Sequence, residues 1–461
     1  MIWASLLAGC ALAAAQPALA EHTVTPQSRE DALTDTIIIT APRQIALPAD
    51  AAAIAARVAG GDIFGNGALS GQLSYRGLAG ERVLGRVNGQ RFASGGPNAM
   101  DPPLHYAPSI LVDRIDIARG VAPVAEGPSL GGAINAELVQ AQFTDGDALT
   151  PQMRMASQYR SVDDSYAVGG LAALANQRWR FGLIASREQG EDYRFARGRA
   201  VGTSFERSLY GVHAGFYTAL GELFVEYRRS ETDPSGNPPF ALDTVYFNTD
   251  FVQGGFRGEV ADNVGLTLRI GHVAVRHLMD NQTLRQPAAT PPQARATFAE
   301  ADPTPLRFRN ADAKLYGADI DFVVRPARHI ELAGTASLVR GQRRDVADNL
   351  YRIPPANLRL SATWANDRLA LGAELFAAAD QNRVSHTNSE ARGDRYTTVG
   401  LFARLTLNDA LAIEGGVENL LDERYAAHLA GRSRVGASDV PIGERLPGPG
   451  RGGWLRLTAR F

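Results

Sequence analysis

Most of this chain alternates apolar and polar residues, and this pattern limits its fold more than any other feature. The alternation runs over about residues 143–461, in short segments separated by polar turns. In the segment VGLTLRI, one face of an extended chain carries only apolar side chains, from Val264, Leu266, Leu268 and Ile270. Repeated alternation over about ten residues is typical of transmembrane β-barrel strands, although a soluble β-sandwich alternates too. The sequence therefore predicts an all-β fold over most of its length.

Composition narrows the class of protein further. After the first twenty residues, no uncharged apolar run is long enough to cross a bilayer as a helix. The 461 residues carry a net charge of only −2, so attraction to nucleic acid is not expected. Cys10 is the single cysteine of the sequence, so a disulfide framework is excluded.

The first residues predict export from the cytoplasm. Residues 2–20 are apolar and end in Ala18-Leu19-Ala20, a small-residue cleavage pattern, so residues 1–20 are predicted to be a signal peptide. No basic residue precedes Arg29, unlike in most signal peptides. Leu7-Ala8-Gly9-Cys10 also fits a lipoprotein signal, which is the alternative. Both interpretations imply export.

Two distant parts of the chain carry recognisable phrases. Between Val83 and Gln140 come VLGRVNGQRF, with the hairpin dipeptide Asn88-Gly89, then RIDIARG, then GPSLGGAIN. Near the end come VENLLDERY and the strand WLRLTARF, which finishes on the aromatic residue Phe461. In order and wording, these phrases resemble the plug domain and the C-terminal region of TonB-dependent outer-membrane receptors. GPSLGGAIN also fits a G-x-S-x-G nucleophile elbow around Ser129, but the strand, helix, His and acid which that motif needs are missing around it.

The resemblance implies an all-β membrane protein of the bacterial outer membrane. Residues 48–142 would form an N-terminal α+β plug domain inside a C-terminal transmembrane antiparallel β-barrel, residues 143–461. Barrels of this family have about 22 strands. At roughly ten residues per strand, about 320 residues leave only short connections, so the alternative is a barrel with fewer strands. The longest non-periodic stretch, about 279–310, is predicted to be an external loop.

The resemblance also implies a coupling segment ahead of the plug. Residues 21–47 would lie in the periplasm and include a TonB box made of Asp35, Thr36, Ile37, Ile38, Ile39, Thr40 and Ala41. A short β-branched segment with free backbone groups can pair with the edge strand of another protein. An ordinary edge strand is the alternative. Residues 21–34 leave no room for the folded domain that signalling receptors of the family carry there.

Three phrases, PNAMDPP, VRHLMDNQTLR and NLYRIPPANLRL, resemble the copper-importing subset of the family. Where those receptors have Cys and Met in the plug and His and Met in the barrel, this chain has Gly96, Met100, His277 and Met279. Thioether and imidazole groups suit Cu(I), and residues i and i+2 share one face of a strand. Gly96 removes the thiolate, the strongest of the four donors. Met100, His277 and Met279 are therefore the candidate metal ligands, with ordinary packing of these residues as the alternative.

The predicted function is uptake of a scarce ligand, for which copper is the candidate, with energy supplied from the inner membrane. A siderophore or other small organic ligand is the alternative, if the metal site has been lost. An outer-membrane enzyme is disfavoured, because the sequence shows no arrangement of catalytic Ser, His and Asp residues. The predicted partners are the TonB energy-coupling protein, outer-membrane lipid and a small ligand or metal ion, and no cofactor is required.

Overall fold

The computed structural model describes residues 45–92, 100–120, 129–261, 264–285 and 312–461, together with the backbone of 36–40. The α-helix among them is α1 (Ala51–Ala55), and the remaining regular structure is mainly β. The strands are β1 (Thr36–Thr40), β2 (Gly61–Phe64), β3 (Gln72–Tyr75), β4 (Leu78–Ala79), β5 (Leu84–Val87), β6 (Gln90–Arg91), β7 (Val112–Ala118), β8 (Ala133–Leu138), β9 (Thr150–Arg160), β10 (Ser165–Ala175), β11 (Trp179–Gly190), β12 (Arg194–Phe195), β13 (Gly198–Arg199), β14 (Phe205–Thr218), β15 (Gly221–Thr232), β16 (Asp243–Ala261), β17 (Val264–Asp280), β18 (Ala313–Ala327), β19 (Ile330–Arg343), β20 (Asn357–Ala365), β21 (Leu369–Ala378), β22 (Tyr396–Asn408), β23 (Leu411–Glu418) and β24 (Gly452–Arg460).

The N-terminal part of the described chain is a small mixed domain, the plug. Its main sheet has the order β1-β7-β8-β5-β6, in which β5 and β8 run parallel, and β2-β3-β4 form a second sheet. Asp50 begins α1 by accepting a hydrogen bond from the backbone of Ala52 at 2.8 Å. The predicted hairpin is present, because Asn88 and Gly89 take φ angles of 51° and 74° between β5 and β6.

The C-terminal part forms a curved wall of 14 antiparallel strands, in the order β17-β16-β15-β14-β11-β10-β9-β24-β23-β22-β21-β20-β19-β18. Within the described residues the wall thus has 14 strands, whereas the sequence analysis predicted about 22 or, as the alternative, fewer. Some strands are longer than the ten or so residues expected, since β16 alone has 19 residues. Residues 419–451 add a long connection between β23 and β24.

The wall has the polarity of a membrane barrel, which confirms the predicted alternation. Outward side chains are apolar and exposed, such as Leu183, Val225 and Leu455. Inward side chains are polar and buried, such as Arg207, which is paired with Glu188. No helix among the described residues is long and apolar enough to span a membrane.

The two ends of the wall differ in the length of their connections. At one end the strands are joined by tight turns, such as residues 176–178 and 409–410. At the other end the connections are long, including residues 191–204, 233–242 and 419–451. We call these the short-turn end and the long-loop end. In bacterial barrels, short turns face the periplasm and long loops face the exterior.

The plug lies inside the wall and contacts strands on several sides of it. Gln158 of β9 exchanges two hydrogen bonds, both of 2.8 Å, with the backbone of Leu47. Asn88 donates to Glu226 of β15 at 2.8 Å. On the opposite side, Arg76 donates to Asp319 of β18 at 2.6 Å. These contacts attach the plug to the wall at β9, β15 and β18.

Candidate functional site

The plug segment that begins at Met100 is held against β16 near the long-loop end. Asp101 is fully buried and accepts a hydrogen bond from the Tyr106 hydroxyl at 3.0 Å. That hydroxyl in turn accepts a hydrogen bond from Thr249 of β16 at 3.1 Å. Because these bonds fix Asp101, they also fix the position of the adjacent Met100, which is half-buried.

The neighbouring strand β17 presents its two candidate ligands on the inner face of the wall. His277 lies opposite Phe247 in the ladder, and the two rings stack with their centroids 4.9 Å apart. Phe247 is buried and lies 6.0 Å from the ring of His105 in the plug. Met279 follows two residues after His277 and lies opposite the buried residue Thr244. Both side chains therefore share the face of β17 that looks toward the plug.

The structure thus brings the segment of Met100 and the strand of His277 and Met279 to one corner, between the plug and β16–β17. That their three donor atoms meet around one ion stays a prediction, and Gly96 lies outside the described residues. The parts of the chain that are described hold no cluster of three or more His, Cys, Asp or Glu residues suited to a metal. A metal site at this corner would therefore depend on the thioethers.

His105, which sequence reasoning did not single out, adjoins the corner but is already fully bonded. Its Nδ1 donates to the carbonyl of Leu69 at 2.9 Å, and its Nε2 accepts from the hydroxyl of Thr232 at 2.9 Å. Burial, together with the nearby Arg207 cation, lowers the pKa of His105 to about 3. This histidine is neutral and has a structural role in docking the plug.

A cavity of about 350 Å³ lies on the other side of the plug, between the α1–β2 region and strands β19–β24. Aliphatic residues form part of its lining, and the charged and aromatic residues there include Arg57, Asp62, Arg359, Glu374, Phe376, Tyr396, Glu418, Tyr425 and Trp454. Glu374 pairs with both Arg57 of the plug and Arg359 of β20. Burial raises the pKa of Asp62 to about 6. Sequence reasoning missed this cavity, because its residues are scattered along the chain without a motif.

The long loops close over the plug on one side of the mouth. Gly431 donates to the carbonyl of Gly65 in the plug at 2.9 Å. The loops also bind each other, since Gly236 donates to Ser204 and Arg434 donates to Pro238, both at 2.9 Å. A ligand that enters on this side of the long-loop end would have to pass the cap.

The predicted coupling segment forms the edge strand β1 of the plug sheet. Its residues Thr36–Thr40 pair antiparallel with β7, and Ile38 lies opposite Asp116. Asp35 and Ala41, the ends of the predicted TonB box, lie outside the described residues. An edge strand is compatible with strand addition and with a purely structural role, so the coupling role stays a prediction.

Comparison with known proteins identifies the family of the plug. Residues 42–134 match the TonB-dependent Receptor Plug Domain family. The receptors that carry this domain are transporters and not enzymes. The Ser129 hydroxyl has a structural use, because the carbonyls of Gly132 and Arg82 lie within hydrogen-bonding distance, at 2.6 and 2.9 Å.

Solved structures share the fold of the receptor. "Copper transporter OprC" has a TM-score of 0.82 at 14% sequence identity, covering 92% of this chain and 99% of that chain. The FrpB iron transporter from Neisseria meningitidis (F5-1 variant) has a TM-score of 0.62 at 11% identity, covering 92% and 99%. A mutant of the ferric enterobactin receptor (PfeA) from Pseudomonas aeruginosa has a TM-score of 0.56 at 13% identity, covering 94% and 99%. These identities are low, so the likeness shows the fold alone. No curated protein sequence matches the chain.

Proposed function

We propose that this receptor imports copper across the bacterial outer membrane, with energy transmitted through TonB. The observation that carries the proposal is the corner between the plug and β16–β17. There the segment of Met100, fixed by Tyr106 and Thr249, faces the strand that presents His277 and Met279. Two thioethers and one imidazole form a soft donor set that favours Cu(I) over Zn(II).

The position of the corner also supports this proposal. His277 and Met279 lie at the long-loop end of β17, which would face the exterior in the outer membrane. An ion held there would bridge plug and wall, so its binding would be sensitive to any movement of the plug. The higher TM-score of the structure described as a copper transporter, relative to the two iron receptors above, agrees with this choice.

A small organic ligand in the same scaffold is the second candidate, favoured by the cavity beside α1. Its volume of about 350 Å³ lies in the range of small-molecule sites. The stacked rings of Tyr396 and Tyr425, 4.5 Å apart, and the charged groups around Glu374 would suit a polar, partly aromatic molecule.

The test uses methionine variants matched for residue type. Purified receptor is titrated with Cu(I) under anaerobic conditions against a chromogenic chelator, and bound metal is counted by mass spectrometry. We expect one Cu(I) per chain, a loss of at least tenfold in affinity in Met100→Leu, and no change in Met155→Leu. Met155 is the control because it is exposed on the outward face of β9. Wild-type protein that binds no Cu(I), or a Met100→Leu variant that binds it normally, would overturn the copper proposal.

A further inference from the structure

A second site lies in the cavity of about 350 Å³ beside α1, on the side of the plug away from the corner of Met100 and His277. The long connection 419–451 contributes Tyr425 and His428 to its lining, so the cavity lies beneath a loop of the long-loop end. Its volume falls within the range of about 300–1,000 Å³ that is usual for small-molecule sites. The charges and rings of its lining decide which class of molecule fits.

The two guanidinium groups of the cavity already have partners. Glu374 of β21 accepts a hydrogen bond from Arg57 of the plug through one carboxylate oxygen. Through the other oxygen it accepts one from Arg359 of β20 at 2.7 Å. The guanidinium of Arg359 also lies over the ring of Phe376, 4.6 Å from its centroid. This group carries one net positive charge, but its contacts are made within the protein.

Two further carboxylates of the cavity form no ion pair with any residue that the structure describes. Asp62 of β2 accepts a hydrogen bond from the backbone of Ile63 at 2.7 Å, and Glu418 of β23 accepts one from the backbone of Ala46 at 3.3 Å. Both side chains retain accessible surface, which faces the cavity. Burial raises the pKa of Asp62 to about 6, although the Arg359 cation acts to lower it. Holding its charge at neutral pH is therefore costly, and a cation beside it would reduce that cost.

An aromatic surface adjoins these carboxylates. The rings of Tyr396 and Tyr425 stack with their centroids 4.5 Å apart, and Gly448 packs so closely on Tyr425 that a Cβ there would overlap the ring. Burial and the nearby Glu418 carboxylate raise the pKa of Tyr425 to about 12, so its hydroxyl stays protonated. The face of an aromatic ring is negative, and a phenol oxygen accepts hydrogen bonds from N–H groups. This surface therefore favours a cation that carries N–H donors.

We propose that the cavity binds a small organic cation, an ammonium or guanidinium compound, between Asp62 and Glu418 and beside the stacked rings of Tyr396 and Tyr425. Three carboxylates face two guanidinium groups in the lining, so one negative charge remains for a ligand to neutralise. A bare metal ion fits less well, because the cavity is much larger than an ion and the described residues hold no acidic or histidine cluster suited to a metal. The proposal gives a chemical class to the organic ligand that is the second candidate, and it is independent of the copper site.

Such a ligand would join three parts of the molecule. Asp62 belongs to the plug, Glu418 to the wall and Tyr425 to the long connection between β23 and β24. A ligand that binds the folded protein stabilises it in proportion to the logarithm of its concentration relative to its Kd. A bound cation should therefore raise the temperature at which the plug and the wall unfold.

Three molecules of similar shape and different charge test the proposal. Purified protein, without copper, is titrated calorimetrically at pH 7.5 with tyramine, its neutral analogue tyrosol and its anionic analogue 4-hydroxyphenylacetate. We expect one tyramine per chain, and at least tenfold weaker binding of the two analogues, because only tyramine brings a positive charge. Agmatine is titrated as a guanidinium compound without a ring. Failure of both cations to bind, or binding of the neutral or anionic analogue as tightly as tyramine, would overturn the proposal.

Amide variants assign the binding to the cavity. Asp62→Asn and Glu418→Gln each keep the shape of the side chain and remove its charge, and each should weaken tyramine binding at least fivefold. Asp145→Asn is the matched control and should bind normally, since Asp145 is exposed and lies outside the lining. Thermal unfolding checks that the variants fold, and Asp62→Asn should unfold no earlier than wild type, because it removes a costly charge. Undiminished binding in both cavity variants would place the cation elsewhere. Since copper is absent from these titrations, their outcome leaves the copper proposal to its own test.

Discussion

At the residue scale, the methionines divide between two environments. Met153 and Met155 lie on the outward face of β9, with 40% and 44% of their surfaces exposed, where an apolar side chain meets lipid. Met100 and Met279 lie on the inner side, in the plug segment and on β17 beside His277. The ligand role is therefore proposed for the inner pair only, because the outward pair faces lipid.

The proposed metal site predicts an order of effects. His277→Ala should lower Cu(I) affinity more than Met279→Ala, because imidazole is the stronger donor, and Gly96→Cys should tighten binding markedly by restoring a thiolate. Competition titration of Cu(I) measures all three variants. His329→Ala is the matched control, since His329 lies at the short-turn end, where its Nδ1 donates to the carbonyl of Ala365. Equal affinities for all variants would show that the three residues do not form a site.

His105 predicts that plug docking depends on pH. Its pKa is about 3 in the docked plug, against an ordinary value of 6.5, so the released plug binds a proton that the docked plug rejects. The contribution of His105 to the stability of the docked plug is therefore fully present above about pH 6.5 and is lost as the pH drops toward 3. From pH 7.5 to pH 5 the free energy of unfolding should fall by about 2 kcal/mol. Urea unfolding measures it through Trp454, which packs on Ala46 of the plug, and His105→Asn should flatten the dependence. An unchanged slope in that variant would assign the pH effect to other groups.

At the element scale, β1 is the strand for which a coupling role is proposed. Its pairing with β7 covers one of its edges, and the proposed coupling role requires its backbone to be available to TonB. A strand at the margin of a small sheet can detach at lower cost than one in the middle. This is the physical reason that an edge position suits a coupling segment.

Ile38→Pro tests that role, because proline removes a backbone donor and cannot adopt the φ of a regular strand. Copper uptake into cells should fall at least tenfold, while Cu(I) binding to the purified receptor stays unchanged. Ile38→Val keeps the backbone donor and should transport normally. If uptake and binding fell together in the proline variant, β1 would be a structural strand and not a coupling segment.

At the scale of the whole molecule, a plug sits inside a wall that has, in the described residues, fewer strands than the family resemblance implied. The 14 described strands follow one another as antiparallel neighbours from β17 to β18, with β9 and β24 paired near the middle of the order. The outward apolar surface and the inward charged surface require a bilayer on one side and protein on the other.

The membrane fold predicts how the mature protein behaves. It should fractionate with the outer membrane and migrate faster on gels before heating than after it, because folded transmembrane barrels resist detergent. Fractionation followed by electrophoresis with and without boiling measures both properties. Recovery as a soluble periplasmic protein after export would exclude the transmembrane barrel.

The sequence alone was sufficient for the elements and for the family resemblance. The alternation after residue 143 predicted the strands, and Asn88-Gly89 predicted the hairpin, because both signals are local. The phrases of the plug and of the C-terminal region pointed to the receptor fold. Met100, His277 and Met279 were nominated by resemblance, and their approach to one corner depends on contacts that the resemblance could not specify.

Only the tertiary structure decided the lengths of the strands, their order and the cavity. Strand length depends on how far each pair extends its ladder, and β16 and β17 extend well beyond ten residues. Arg57 lies about 300 residues before Arg359 and Glu374 in the sequence, so no motif joins the three residues. The order of the strands in the wall also came from the structure, because alternation determines which face a residue occupies but not which strand lies beside it.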